Sequence, residues 1–396
     1  MPEYQTPGVY VEEVPSAVKP IAGVGTSTAG FIGIVADNVP MPVIPGTESD
    51  KYTKAPAGQP IRLTGWEQFK KNFGDFHAGN KMLAHAVYGF FNNGGTACWV
   101  IRVTDSEADT FQAALDTFKS IDEIAIVAIP GVVDTTVQEK ILAHCEGMQD
   151  RFAILDGQRL EGESGGYTAD AIRGGGDGGT ALRYSIDGYG ALYFPWIQVF
   201  DPASGTNIFV PPSGHLAGIY ARSDGERGVH KAPANEVIRG AVDLEHHLNK
   251  DDQGVLNVAG IDVIRIFSGN ITVWGGRTYA DPTTDPEWKY ISTRRLFNFL
   301  RESIEEGTRW VVFEPNDMSL WQKIRRNVTA FLTNVWRAGA LFGATPEQAF
   351  YVKCDEETNP PEVRELGQVV TEIGVAIVKP AEFVIFRISQ WGGPSA

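Results

Sequence analysis

The sequence predicts an α/β fold with a mainly parallel sheet, and three observations carry that prediction. Short, continuously apolar segments such as Phe31-Ile32-Gly33-Ile34-Val35 and Ile124-Ala125-Ile126-Val127-Ala128-Ile129 read as strands buried on both faces. Between them lie segments with apolar residues at helical spacing, the pattern of a parallel sheet covered on both sides by helices. The chain has 396 residues, 43% of them hydrophobic and 21% charged, which is length enough for two domains of ordinary size.

Taken in order, residues 1–25 are an extended arm. Pro2, Pro7, Pro15 and Pro20 punctuate it, and Gly8, Gly23 and Gly25 loosen it. Its one strand-forming unit is residues 8–14, where Val9-Tyr10-Val11 has the β-branched and aromatic content of a strand. Flanking prolines confine such a strand to a sheet edge. Residues 26–35 form the first buried strand, and a Pro/Gly-rich loop follows over 38–60. Gly65-Trp66-Glu67-Gln68-Phe69 opens a helix. A second helix covers 81–91, with Leu83, Val87 and Phe90 on one face, and Asn92-Asn93-Gly94-Gly95 ends it.

Strand 98–103, helix 110–120, strand 124–129, helix 137–148 and strand 152–155 then alternate. Residues 157–180 are a glycine-rich surface loop with a short helix at 169–172. A strand is expected at 192–200, a helix from Pro212 to residue 222, a loop over 226–234 and a helix over 237–244. Val263 to Phe267 and Ile271 to Trp274 flank Ser268-Gly269-Asn270 and read as a hairpin. A helix within 288–306 turns Leu296, Phe299, Leu300 and Ile304 inward, and 310–314 reads as a strand.

The last quarter is the most distinctive. A helix over 319–337 has Leu320, Ile324, Val328, Phe331, Leu332 and Val335 at the helical period. The same helix carries Lys323, Arg325, Arg326 and Arg337 with no acid between Ser319 and Arg337. In a chain of net charge −15 that local excess stands out; the plain alternative is a solvated basic face. A Cys354-bearing strand, an acidic Asn-Pro loop over 355–362 and strands at 372–378 and 382–389 follow. Phe383, Val384, Ile385 and Phe386 are apolar on both faces of that final strand. A strand of this kind must be covered, and where its own fold does not cover it, it invites a strand from another molecule.

The chemistry looked for is mostly absent. The acidic balance argues against general binding of nucleic acid or anionic membrane. Cys98, Cys145 and Cys354 are too dispersed for a disulfide framework or a zinc knuckle and are expected as reduced thiols. The first residues lack a signal peptide pattern, and no apolar run reaches membrane-spanning length, so synthesis in the cytoplasm is expected. There is no P-loop and no HExxH, so neither cofactor nor metal is expected. Gly162-Glu163-Ser164-Gly165-Gly166 fits GxSxG, but six residues separate it from the preceding strand, whereas a nucleophile elbow follows its strand directly. A hydrolase using Ser164 remains the alternative from a different class. With chemistry this sparse, the pattern points to assembly.

Several stretches carry a family resemblance. They are Pro7-Gly8-Val9-Tyr10-Val11-Glu12-Glu13, Gly23-Val24-Gly25-Thr26-Ser27-Thr28-Ala29, Lys231-Ala232-Pro233-Ala234-Asn235-Glu236 and residues 291–300. Towards the end they are Phe313-Glu314-Pro315-Asn316, residues 336–343, Tyr351-Val352-Lys353-Cys354-Asp355, Thr358-Asn359-Pro360, Glu372-Ile373-Gly374-Val375-Ala376 and Pro380-Ala381-Glu382-Phe383-Val384. Together they resemble the sheath proteins of contractile tails, in phages, pyocins and extracellular contractile injection systems.

The resemblance implies an outer α/β domain (26–258) inserted before a C-terminal α+β inner domain (259–378) that faces a central tube. An N-terminal arm (1–25) and a C-terminal strand arm (379–396) would flank them. It further implies that Val9, Tyr10 and Val11, and Phe383, Val384, Ile385 and Phe386, add strands to neighbouring copies. Lys323, Arg325 and Arg326 would face the tube. The implied partners are further copies in a helical homopolymer, the inner tube protein, and baseplate and tail terminator or cap proteins. Neither nucleic acid nor direct membrane insertion is implied. Such a sheath assembles in a metastable extended state, contracts to drive the tube through a target envelope, and ends in a phage tail or tail-like particle that can be released. Another structural part of such a tail, a tube or baseplate protein, is the nearer alternative.

Overall fold

Alternating side chains fix the main sheet, because each buried strand sends successive residues into two different cores. A computed structural model describes residues 20–42, 53–162 and 167–387. Within β1 (Ala29–Ile34), Phe31 enters one core and Ile32 the other. Val100 and Ile101 divide in the same way in β3 (Cys98–Val103), as do Ala128 and Val127 in β4 (Ile126–Ala128). β2 (Ile61–Leu63) lies antiparallel at one edge, on β3.

Four helices accompany these strands: α1 (Trp66–Phe73), α2 (Lys81–Asn92), α3 (Ala108–Phe118) and α4 (Thr135–Met148). β5 (Phe152–Asp156), the short α5 (Ala169–Ile172), β6 (Gly190–Phe194), β7 (Ile197–Asp201), β8 (Thr206–Val210) and α6 (Ser213–Arg227) follow. Next come β9 (Glu236–Val237), β10 (Ala241–Leu244), α7 (Lys250–Val258), β11 (Ile261–Phe267) and β12 (Asn270–Val273). The nine-stranded sheet has the order β2-β3-β1-β4-β5-β6-β11-β12-β9, parallel from β3 to β11. A second sheet, β10-β7-β8, is antiparallel. Such a mixed α/β architecture is the one expected from the sequence.

Helices α2 and α6 pack unusually close. A Cβ on Gly214 would lie 2.3 Å from the Ala86 Cα, and one on Gly218 would lie 2.4 Å from the Phe90 carbonyl oxygen. Both obstacles are backbone, so neither can swing aside. Gly214→Ala should therefore force the helices apart and destabilise the unit by about 1–3 kcal/mol, the usual cost of overpacking. Thermal unfolding of the purified chain measures it, and an unchanged melting point would show that the helix pair has slack.

The chain divides into two compact units, and the division falls inside α8 (Ile291–Thr308), after Glu302. The larger unit holds the described residues of Val24–Glu302 together with residues 378–387. In the smaller, Ser303–Ile377 folds with residues 20–23. Its elements are α9 (Met318–Arg337), α10 (Pro346–Ala349), β13 (Phe350–Lys353), α11 (Pro361–Glu365) and β14 (Glu372–Val375). β13 and β14 pair antiparallel as a two-stranded sheet. The boundary therefore lies later than the expected 258/259. β11 pairs in parallel with β6, which carries residues 261–273 into the large sheet. Sequence periodicity cannot register a pairing between strands that far apart.

Four further expectations are corrected. Residues 237–244 are not a helix: Gly240 turns the chain at φ 88°, β9 pairs with β12, and β10 pairs with β7. Residues 310–314 are not a strand but a 3-10 turn, Arg309–Val311, followed by Phe313 at φ 68°. The strand expected at 192–200 is two strands, interrupted at Pro195. Residues 382–387 form no strand within this chain, and 388–389 lie outside the described residues. Strand β8 and helix α7 had not been read from the sequence. The hairpin β11–β12 is present, and its turn has positive φ at both Ser268 and Gly269, as a two-residue hairpin loop requires.

Candidate assembly surfaces

Helix α9 is built to be held on one side and offered on the other. Asp317 caps its N-terminus, accepting from the Leu320 amide at 2.8 Å. Leu320, Trp321, Ile324, Val328, Phe331, Leu332 and Val335 are buried. Trp321 donates from Nε1 to Asn316 at 2.8 Å, and Trp336 donates to the Gly343 carbonyl at 2.9 Å, pinning both ends of the helix to their loops. Arg325 and Arg326 are exposed, while Lys323 is half-buried at the margin of the apolar stripe. The outward charge of this helix therefore rests chiefly on these two arginines and on Arg337 in its last turn, which is also exposed.

The acidic Asn-Pro loop owes its shape to Asn359, which is 1% exposed. Its side-chain oxygen accepts from the Val370 amide at 2.7 Å, and its Nδ2 donates to the Val370 carbonyl at 3.0 Å. The side chain thus imitates a strand neighbour and closes residues 355–370 beside β13 and β14. The chain entering α9, residues 312–318, is more exposed. Phe313 projects fully into solvent, and Val312 and Met318 are exposed beside it.

Residues 378–387 belong with the larger unit. Phe383, Val384, Ile385 and Phe386 are 68%, 69%, 77% and 84% exposed, four consecutive large apolar side chains with no strand partner among the described residues. Glu382, just before them, is gripped. Its carboxylate accepts from Arg277 Nε at 2.7 Å, Arg277 Nη2 at 2.6 Å, Asn257 at 2.9 Å and Tyr290 at 2.9 Å, and Lys289 stands at 3.2 Å. Burial works against its ionisation, but the hydrogen bonds from Asn257, Tyr290 and Arg277 outweigh it and hold the carboxyl below the usual glutamate range. Residues Val378 to Phe383 also form one wall of a groove of about 760 Å³, whose other walls include Lys231, Ala232, Ala234 and Trp274.

Sequence reasoning had placed residues 382–386 together on one strand but had missed the Glu382 socket. Its partners lie about 90 to 125 positions away in sequence, and no local pattern brings them together. Two groups of expected residues, Val9, Tyr10 and Val11, and Ser164, lie outside the described residues. Among the described residues no group of three or more His, Cys, Asp or Glu side chains is arranged to hold a metal, and no helix is long and apolar enough to cross a membrane. Cys98, Cys145 and Cys354 are buried free thiols.

Comparison with known proteins adds a family to this geometry. Residues 105–279 match the phage tail sheath protein central domain, and residues 283–390 match the phage tail sheath C-terminal domain. A putative prophage major tail sheath protein of Pseudomonas aeruginosa (strain UCBPP-PA14) is 25% identical over 268 residues, which is 65% of this chain and 64% of that relative. The chain thus spans less than two thirds of that curated relative's length. The solved sheath of the extracellular contractile injection system PVC, in its contracted state, matches with a TM-score of 0.76 and 27% identity over 99% of both chains. The helical sheath of the anti-feeding prophage, also contracted, matches with a TM-score of 0.73 and 28% identity over 98% of this chain and 99% of that one.

Proposed function

The chain belongs to the phage tail sheath family, and from that premise we propose that it is the repeating subunit of a contractile sheath. The observation that carries this reading is the likeness to a contracted sheath over 99% of both chains. The subunit polymerises helically around an inner tube in an extended state, then shortens to drive the tube forward. It performs no catalysis of its own, since the work comes from the difference between two sets of subunit contacts. Its partners are further copies, the tube protein, and the baseplate and terminal proteins of the particle, assembled in the cytoplasm into a phage tail or tail-like particle. The smaller unit is the inner, tube-facing one. Electron microscopy of the purified chain tests this: long hollow cylinders support it, whereas monodisperse monomers with esterase turnover would overturn it.

Within this reading α9 is the tube contact, through Lys323, Arg325 and Arg326. Its support is the run of cations without an intervening acid on a helix whose opposite face is buried. An exposed ion pair contributes about 0.2–1 kcal/mol. Repeated around every ring the sum is large, while each contact stays easy to release, which suits a sheath that must grip and then slide. Lys323→Glu with Arg326→Glu should leave the melting point of the monomer within a few degrees of wild type. The same pair should cut the yield of tube-filled extended particles several-fold, in favour of empty or contracted ones. Normal yields of extended, filled particles would remove α9 from the tube contact.

A further inference from the structure

Glu382 stands where a rooted chain gives way to an offered one, and four side chains converge on its carboxylate. The socket is itself rooted. The Arg277 amide donates to Asp262 Oδ1 at 2.9 Å, which ties the arginine's backbone to β11, and Arg277 bridges to Tyr290 beside the start of α8. Asn257 comes from α7. Three separate elements thus hold one glutamate that is only 20% exposed at its side chain. One residue further on, exposure rises to 68%, and it reaches 84% at Phe386.

We propose that Glu382 is a positioning residue: locked by Asn257, Arg277, Lys289 and Tyr290, it fixes the base and direction from which residues 383–387 are offered to a second copy of the chain. The inference rests on the strand-addition reading and adds to it the device that makes addition efficient. A segment free from residue 378 onward would have to order residues 378–382 as well as the strand that pairs. A segment fixed at Glu382 has that stretch already in place and only the strand beyond it to order, of which residues 383–387 reach about 17 Å when extended. Fixing the base in the free subunit lowers the ordering cost that association must otherwise meet. A carboxylate suits the task because charge-assisted hydrogen bonds are directional as well as strong.

The test uses the full-length chain and compares Glu382→Ala with Ile385→Pro over a concentration series, with polymer separated by sedimentation. Glu382→Ala should raise the concentration needed for assembly about tenfold, which corresponds to about 1.4 kcal/mol. Limited proteolysis of the monomer should speed up within residues 378–387, while hydrogen exchange in the main sheet stays unchanged. Assembly of Glu382→Ala at wild-type concentrations, with Ile385→Pro blocked, overturns the anchor alone. If both assemble normally, the strand-addition reading beneath it fails as well. Should the alanine variant lower the melting point, the isosteric Glu382→Gln takes its place, and its assembly at wild-type concentrations equally overturns the anchor.

Discussion

Ile385→Pro is expected to give a folded, soluble monomer that forms no cylinders, and Val11→Pro is expected to do the same. Proline removes an amide donor and fixes φ, so it ends a strand pairing that most side-chain changes would tolerate. At position 385 nothing in the monomer is lost, because Phe383 to Phe386 are exposed and unpaired among the described residues. In the polymer much is lost. Burying one large apolar side chain contributes about 1.5–3 kcal/mol, and four lie in this stretch. The concentration needed for assembly should therefore rise at least a hundredfold, equivalent to about 2.7 kcal/mol. Val11 lies outside the described residues, and its expectation stands on the Val9-Tyr10-Val11 pattern and its flanking prolines. Deleting residues 1–14 tests the same arm more severely. Sedimentation and electron microscopy read all three variants, and cylinders at normal yield from Ile385→Pro would exclude the C-terminal strand as an assembly element.

How much of this was legible beforehand depends on how local each signal is. Phe31 beside Ile32, and Val127 beside Ala128, could be read as doubly buried strand because neighbouring apolar residues serve neighbouring cores. Helix α9 was legible because its buried stripe follows the helical period without a break. The same logic misled at 237–244. Val237, Ile238, Ala241 and Leu244 have helical spacing, yet Gly240 turns the chain and the two halves join different sheets. Helix α7 escaped because Leu256 is its only buried residue, leaving no stripe to see. Its capping box, in which the Asn249 side chain accepts from the Asp252 amide and Asp252 answers, was the signal available. Residues 310–314 looked like a strand on composition alone, but Val312 and Phe313 are exposed and form no ladder. For the candidate site the division is similar. Residues 383–386 announced themselves as a strand in need of a partner, whereas the Glu382 socket gathers residues from three elements that no window of sequence contains.

Arg295→Met should destabilise the larger unit by about 3–5 kcal/mol, the usual consequence of leaving a buried charge without its partner. Arg295 and Asp224 are 3% and 5% exposed at their side chains. The guanidinium donates to both Asp224 oxygens, at 2.9 and 2.6 Å, and to the Thr26 carbonyl at 2.9 Å. The Thr26 hydroxyl donates to Asp224 at 2.6 Å, and the guanidinium stacks over Tyr220 at 4.8 Å. The cluster ties the entry to β1, helix α6 and helix α8 to one another. Against a typical stability of about 5–15 kcal/mol, the loss is large enough to reduce the folded yield of the variant. The strain lies in the orphaned carboxylate, so Arg295→Met combined with Asp224→Leu should recover much of the stability, since apolar replacement of a buried pair is often close to neutral. Denaturant unfolding of the two variants separates these outcomes, and equal stability of single and double variant would show that packing, not charge, sets the cost. The comparison also guards the assembly experiments. Arg295→Met lowers the polymer yield by lowering the folded population of the subunit, with hydrogen exchange rising throughout the main sheet, whereas Glu382→Ala leaves exchange in that sheet unchanged and speeds proteolysis only within residues 378–387.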